Sequence, residues 1–161
     1  MLGRRPIPEV IDHALAFVTA LEGVSGTVVD LGSGGGVPGL VIARARPDLR
    51  LVLVDRRTAR ADHLTRLVRR LGLEDRIDVL AADARELELL ADAAVARGFG
   101  SPAATLTAAA RVVRPGGVIV VSEPPPERDA ARWDTRPATV APIPSPDPRV
   151  AVFHVKHEVP S

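Results

Sequence analysis

The sequence predicts an α/β fold built on an open, mostly parallel sheet with helices on both faces. Short apolar runs of strand length alternate with segments of helical periodicity from residue 8 to residue 121, as in parallel sheets whose crossovers are helices. One run, TVVDL at 27–31, carries an acid at its end and breaks into five glycines across the eight residues 32–39. With 46% apolar residues in a chain of 161, one domain can bury a sizeable core without disulfides.

The elements follow in order. Ile7, Val10, Ile11, Ala14, Leu15, Val18 and Leu21 recur at helical spacing, so 8–22 reads as an amphipathic helix packed on the sheet, with His13 facing solvent. Val28 and Val29 begin the first buried strand. Pro38 suits the first position of a helix over 38–46, where its missing N–H would have had no partner, and Pro47 stops that helix. The run 51–54 is the second strand, closed by Asp55. Leu64, Leu67, Val68 and Leu71 share one side of a helix over 57–71 that Gly72 terminates. Strands follow at 77–80 and 91–96 and a helix at 103–113; the Arg-Pro-Gly-Gly turn at 114–117 then reverses the chain into a strand over 118–121. Nine of the fifteen prolines lie beyond Glu123, so the last quarter is not regular core structure. A short helix is expected over 127–133 and a final strand over 150–155, with 136–147 either an ordered loop or disorder.

Composition excludes several classes. A formal net charge of +1 supplies no overall field toward nucleic acid or membrane, so such contacts require a local patch. Zero cysteines exclude disulfides, thiolate zinc sites and a thiol nucleophile. The N-terminus has no signal-like apolar run and no segment approaches the roughly 18 apolar residues of a membrane span. The expectation is a cytoplasmic monomer with no membrane contact.

The glycine segment reads as strand, loop, helix. Gly32, Gly34 and Gly36 allow positive φ and let a ligand lie against bare N–H groups. From Gly34, GGGVPG satisfies the dinucleotide pattern G-x-G-x-x-G. From Asp30, the residues satisfy D-x-G-x-G-x-G, the first motif of class I S-adenosylmethionine (SAM) methyltransferases. Ligands of open α/β sheets sit at the carboxyl ends of the strands, which here present Asp30, Asp55, Asp83 and Arg97. Asp55, 23 residues after Gly32, is spaced to accept hydrogen bonds from ribose hydroxyls in either cofactor class. Asp83 is placed to bond an adenine amino group, to cap the residues from Ala84 onward, or both. Hydride transfer needs a second lobe or a relay tyrosine, and the chain has no tyrosine and no spare length. His154 and His157, three apart on a strand, point to opposite faces, so no metal site is expected.

DLGSGGGVPGL at 30–40, the strand ending VD at 54–55 with arginines and a leucine-rich helix ending LGL, ARGFGSPA at 96–103, and RPGG before VIVVSEPP together resemble the RsmG (GidB) family of 16S ribosomal RNA guanine-N7 methyltransferases. The likeness covers roughly residues 11–133. It implies a Rossmann-like class I SAM methyltransferase fold, with SAM as cofactor and 16S ribosomal RNA or the small ribosomal subunit as partner. The whole of 1–161 is then one domain: an N-terminal helix within 1–26, a cofactor-binding core over 27–123, and a proline-rich segment over 124–161. Carried over by motif, Gly32, Val37, Ala84, Arg85 and Arg97 border SAM. Ser33, Gly34, Gly36, Asp55 and Asp83 complete the expected cofactor set, and Arg97, at a strand end, positions donor and acceptor.

The chain departs from the family in three places. Asp83 stands where the family usually has an arginine, and Arg85 where it usually has an acid. The fuller N-terminal helical region and the basic C-terminal tail have no counterpart in these residues, which bears on RNA grip more than on SAM. Guanine N7 carries a free lone pair, so its methylation needs alignment and no general base, in keeping with the absence of an obvious histidine or lysine base. Phe99 either stacks on a splayed base or belongs to the core. Six arginines against one acid between 56 and 70 form either a solvated face or an RNA contact. Two alternatives stand beside the ribosomal assignment: a class I methyltransferase with a small-molecule or other RNA acceptor, and a non-catalytic SAM-binding relative.

Overall fold

The computed structural model describes residues 5–123 and 133–157. In chain order these form α1 (Ile7–Ala20), β1 (Thr27–Leu31), α2 (Gly39–Ala45), β2 (Arg50–Asp55), α3 (Thr58–Arg70), β3 (Ile77–Ala81), a 3-10 turn (Ala84–Glu86), β4 (Ala91–Ala96), α4 (Pro102–Val112), β5 (Val113–Ser122), β6 (Val140–Ile143) and β7 (Val150–Val155). Seven strands among the described residues make one sheet in the order β3-β2-β1-β4-β5-β7-β6. β1 pairs in parallel with β2 on one side and β4 on the other. β7 runs antiparallel to both β5 and β6. Strand order reverses between β1 and β4, and their carboxyl ends open the crevice where ligands of such sheets lie.

Alternation along the strands divides the core into two layers. Val28, Leu51, Leu53 and Val95 face α1, α2 and α3 through Phe17, Leu21, Ile42, Leu64 and Val68. Val29, Leu31, Val54 and Ile119 face α4 through Leu106, Ala109 and Val112. Because both faces are covered, β1, β2 and β4 read as continuous apolar runs. Helix α1 buries Val10, Ala14, Ala16 and Phe17, while Ile7, Ile11 and Leu15 stay 65%, 44% and 43% exposed. The periodicity had assigned those three to the packed side, but the seven apolar positions span a wider arc than one sheet contact covers.

Two further segments differ from expectation. β5 begins where α4 ends, and Arg114 to Gly117 stand out as a bulge between the pairs Ala91↔Val113 and Ala93↔Val118. Asp92 fills the gap, accepting the Thr27 N–H at 2.8 Å and the Arg114 guanidinium at 2.7 Å, so the reversal needs no separate turn. β6 lies within the segment the sequence left without a strand. It contains Pro142 and is tolerated because it is an edge, where a missing N–H breaks no ladder. The helix expected over 127–133 lies, Trp133 apart, outside the described residues. No described helix is long and apolar enough to cross a membrane.

The C-terminal end of α2 is held by Arg76, which donates to the carbonyls of Ala43 at 2.5 Å and Leu49 at 3.3 Å. Helix C-termini leave such carbonyls without intrahelical partners. Arg76→Met keeps the stem and removes the donors, and is expected to cost about 2 kcal/mol of stability, read as a lower midpoint in urea. An unchanged midpoint would show that water replaces the guanidinium without penalty.

Candidate functional site

The chain leaves β1 through a loop whose amides are satisfied from the strand ends. Ser33 is buried; its N–H donates to the Val54 carbonyl at 2.9 Å, its hydroxyl donates to the Asp30 carbonyl at 2.9 Å, and the same oxygen accepts from the Val54 N–H at 3.1 Å. The Asp30 carboxylate accepts the Gly39 N–H at 2.9 Å. A Cβ at Gly39 would stand 2.5 Å from that carboxylate and 2.4 Å from Leu53, so glycine is required by the close approach of helix to strand.

Asp55, at the end of β2 and 4% exposed, accepts the Gly34 N–H at 3.0 Å on Oδ2 and the Arg57 N–H at 2.9 Å on Oδ1. The Arg60 guanidinium stands 3.9 Å away. A carboxylate has about four lone-pair sites, so Asp55 is fixed in place and keeps acceptor capacity facing the crevice. Asp83 caps the 3-10 turn by accepting the Arg85 N–H at 3.0 Å, and the Arg85 guanidinium grips both its oxygens at 2.9 and 2.5 Å. Those bonds hold the Asp83 carboxyl well below the usual carboxylate range.

These ends enclose a cavity of about 350 Å³, within the range of small-molecule sites. Gly32, Asp55, Asp83, Ala84 and Arg85 line it, all from the predicted set. Ser33 is committed to the sheet junction, Gly34 contributes its N–H to Asp55, and Gly36 turns toward Leu40 and Leu64, where a Cβ would stand 2.6 and 3.2 Å from their side chains. Val37, half-buried, and Arg97 are outside the lining. The sequence had not placed Arg56, Arg57 and Arg60 in the wall, although the first two follow Asp55 directly. Phe99 lines the cavity too, half-buried against the α4 layer, 3.2 Å from where a Gly32 Cβ would be. Val54 and Ala82 add apolar surface.

The architecture is shared with solved SAM-dependent methyltransferases. An O-methyltransferase from Thermotoga maritima superimposes with a TM-score of 0.70 at 15% identity, over 93% of this chain and 66% of that one. A methyltransferase from Thiobacillus denitrificans, solved with S-adenosyl-L-homocysteine, gives 0.59 at 24% identity over 74% and 56%. The model of the GidB family, rRNA small subunit methyltransferase G, matches residues 4–136. The chain belongs to the GidB family. Curated ribosomal RNA small subunit methyltransferases G from Nocardioides sp. and Frankia casuarinae are 43% identical over 90 residues and 38% identical over 131. These alignments take in 54% and 74% of this chain but 36% and 48% of those proteins, so the chain spans less than half their length.

Beside the cavity, this GidB-family chain carries a second group of charges beneath α1. Asp30 is fully buried, its Oδ1 has no hydrogen-bond partner among the described residues, and burial pushes its carboxyl up to about 7, opposed by the Gly39 and Ser33 bonds and by Arg97. Burial pulls the Arg97 guanidinium down, with Asp30 opposing. His13, expected at the surface, is instead half-buried with its ring 5.7 Å from Phe17 and its Nδ1 buried with no hydrogen-bond partner among the described residues. The Val10, Ala14, Phe17 stripe turns His13 to the edge of the core, and Arg149, paired with Asp12 and Asp147, closes over the same end of α1. Burial, then Arg97, Arg149 and Arg5, lower the His13 pKa. No group of three or more His, Cys, Asp or Glu side chains able to hold a metal occurs among the described residues.

Asp30 gives a pH dependence of defined sign. Folded, it keeps its proton to about pH 7; unfolded, it loses it near 3.8. The unfolded chain therefore binds fewer protons in that window, and this group's contribution to stability falls as pH rises from about 4 to about 7, by at most about 1.4 kcal/mol per pH unit, and is flat above. In denaturant titrations, Asp30→Asn is expected to gain on the parent steadily across that window. Parallel stability curves for the two proteins would contradict it.

Proposed function

We propose that this chain is a SAM-dependent methyltransferase that methylates guanine N7 of 16S ribosomal RNA, working in the cytoplasm as a monomer on RNA or the small ribosomal subunit. The observation that carries the reading is Asp55: a buried carboxylate held by the Gly34 and Arg57 amides at the switch point of the sheet, with acceptor capacity directed at a cavity of about 350 Å³. That is the acceptor a ribose diol requires. Membership of the GidB family supports the acceptor assignment, and the curated relatives bear the name ribosomal RNA small subunit methyltransferase G.

The residues present fit the cofactor. Asp55 takes the ribose hydroxyls; Val54, Ala82 and Phe99 give apolar walls to an adenine ring; Asp83, Ala84 and Arg85 border its edge; and the Gly32 end of the loop, with Val37 behind it, leaves main chain open to the methionine portion. When bound, SAM supplies a methyl group activated on a sulfonium for in-line displacement. The chain's own contribution is alignment and exclusion of water. The cavity wall contains no histidine or lysine, and none is needed, because guanine N7 offers its lone pair without losing a proton. Arg97, just past β4 and half-buried, stands outside the cavity lining next to the wall formed by Gly98, Phe99 and Gly100, and is the side chain assigned to positioning an acceptor base.

Calorimetry with SAM tests the cofactor. Asp55→Ala is expected to weaken binding about a hundredfold, the loss of about 3 kcal/mol in hydrogen bonds to a charged group, with an unchanged circular dichroism spectrum. Tight binding by a folded Asp55→Ala would displace the ligand from this cavity. Mass analysis of 16S ribosomal RNA from cells lacking the gene tests the acceptor: N7-methylguanine should fall, and an undiminished level would remove the ribosomal assignment.

A further inference from the structure

We propose that the outer face of α3, continued by Arg56 and Arg57, is a contact surface for the RNA phosphate backbone, leading from the rim of the cavity along the helix. The inference rests on the methyl-transfer reading above and identifies how the substrate is held. Residues 56–70 carry six arginines against Asp62 alone, in a chain whose net charge is +1. Arg56, Arg57, Arg66, Arg69 and Arg70 are all exposed. Among the described residues none of these five pairs with an acid, and Arg60 reaches only Asp55, at 3.9 Å. Four arginines elsewhere are neutralised locally, Arg46 by Asp48, Arg85 by Asp83, Arg114 by Asp92 and Arg149 by Asp147, at 2.5 to 2.7 Å. Arg44 and Arg111, exposed without such a partner, stand singly and form no stripe.

A helix that served only to cover the sheet would be better without this arrangement. Arg66 and Arg70 are four apart and Arg66 and Arg69 three apart, spacings at which like charges on a helix repel. The helix dipole favours Arg69 and Arg70 in the last turn but opposes Arg56 and Arg57, which precede the first. Local stability therefore explains at most one end of the stripe. An anion along the whole face relieves both costs.

Phosphate is the anion this face suits. The guanidinium fork matches phosphate oxygens in pairs. The one large apolar side chain exposed on this stretch among the described residues, Leu71, lies at the far C-cap of α3, whereas a protein partner would need an apolar centre to its interface. Arg56, Arg57 and Arg60 also belong to the cavity wall, so a strand laid along α3, roughly 20 Å long at 1.5 Å per residue, ends at the proposed methyl-transfer site. Leu64 and Val68 pack inward on the sheet, leaving Arg66, Arg69 and Arg70 free of any structural duty.

The test uses the full chain, a fluorescently labelled single-stranded RNA of about 20 nucleotides, and anisotropy between 50 and 200 mM salt, a range in which phosphate contacts show themselves. Arg66→Gln, Arg69→Gln and Arg70→Gln combined should raise Kd at least tenfold at the low-salt end. They should also flatten the slope of log K against log salt by about 2, three contacts at roughly 0.7 each. Arg111→Gln, exposed on α4 across the sheet, serves as the charge control and should stay within twofold. Calorimetry with SAM on parent and triple variant separates the two levels of the argument: equal SAM affinity in both, with RNA binding lost only in the variant, supports the surface. Unchanged RNA affinity and salt slope in a triple variant that still binds SAM would overturn it. A parent that fails to bind SAM would instead overturn the reading of the cavity. Binding of a polyglutamate peptide as tightly as RNA, with the same loss in the variant, would reassign the face to an acidic protein and overturn the RNA assignment.

Discussion

The site depends on how the chain leaves β1 without stranding buried amides. Three side chains do what regular structure cannot do there. Asp30 receives the first N–H of α2, the Ser33 hydroxyl receives the Val54 N–H of β2 and donates to the Asp30 carbonyl, and Asp55 receives the Gly34 N–H. An unpaired buried amide costs about as much as a lost hydrogen bond, so each contact is demanded by the one before it. The consequence is a loop with no secondary structure of its own that is nonetheless fixed at three points to the sheet. Its glycines are then required for space as much as for conformation.

Much of this was legible in the sequence because parallel strands covered on both faces must be apolar throughout. VV, LVLV and the alanine-rich β4 could hardly be anything else between helical segments. Asp55 was legible because it closes such a run, and Asp83 because it follows just past the third strand. The edge was not: β6 is four residues long and includes a proline, and strand patterns lose their signal where one side faces solvent and the ladder has no partner to constrain it. Helix α1 was read with the right extent and too wide a face, since periodicity marks apolar positions without saying how many of them a single sheet contact can cover. His13 was misplaced by the same ambiguity. The arginines of the cavity wall were missed for another reason. They come from the first residues after a strand, where side-chain direction is set by the loop's bonds to Asp55 and by no repeat in the sequence.

The electrostatics of the two sides of Gly32 differ in kind. On the cavity side, Asp55 and Asp83 are each met by backbone N–H and by arginine, so both acids are compensated while Arg56 and Arg57 leave the wall with an excess of positive charge. Beneath α1, Asp30 is fully buried and Arg97 half-buried; burial disfavours the charge of each and their attraction only partly offsets it. An attraction between partly desolvated charges is poor evidence of stability. The two are better understood as a polar seam kept between α1, β1 and β4, with His13 and the Arg149 pairs closing its outer end.

The Asp83–Arg85 pair shows why a reversed charge order is not a neutral exchange. Asp83 stands where the family it resembles usually has an arginine, and Arg85 where that family usually has an acid. An arginine has no acceptor, so it cannot cap the turn that begins at Ala84; Asp83 does so through the Arg85 N–H while its other oxygen is held by the guanidinium. Asp83 therefore gives the 3-10 turn a cap, and its cation partner is a side chain 67% exposed at the rim. The carboxylate's orientation is fixed by the Arg85 N–H and guanidinium. That edge of the cavity is consequently set by a cap and an ion pair within three residues, Asp83 to Arg85.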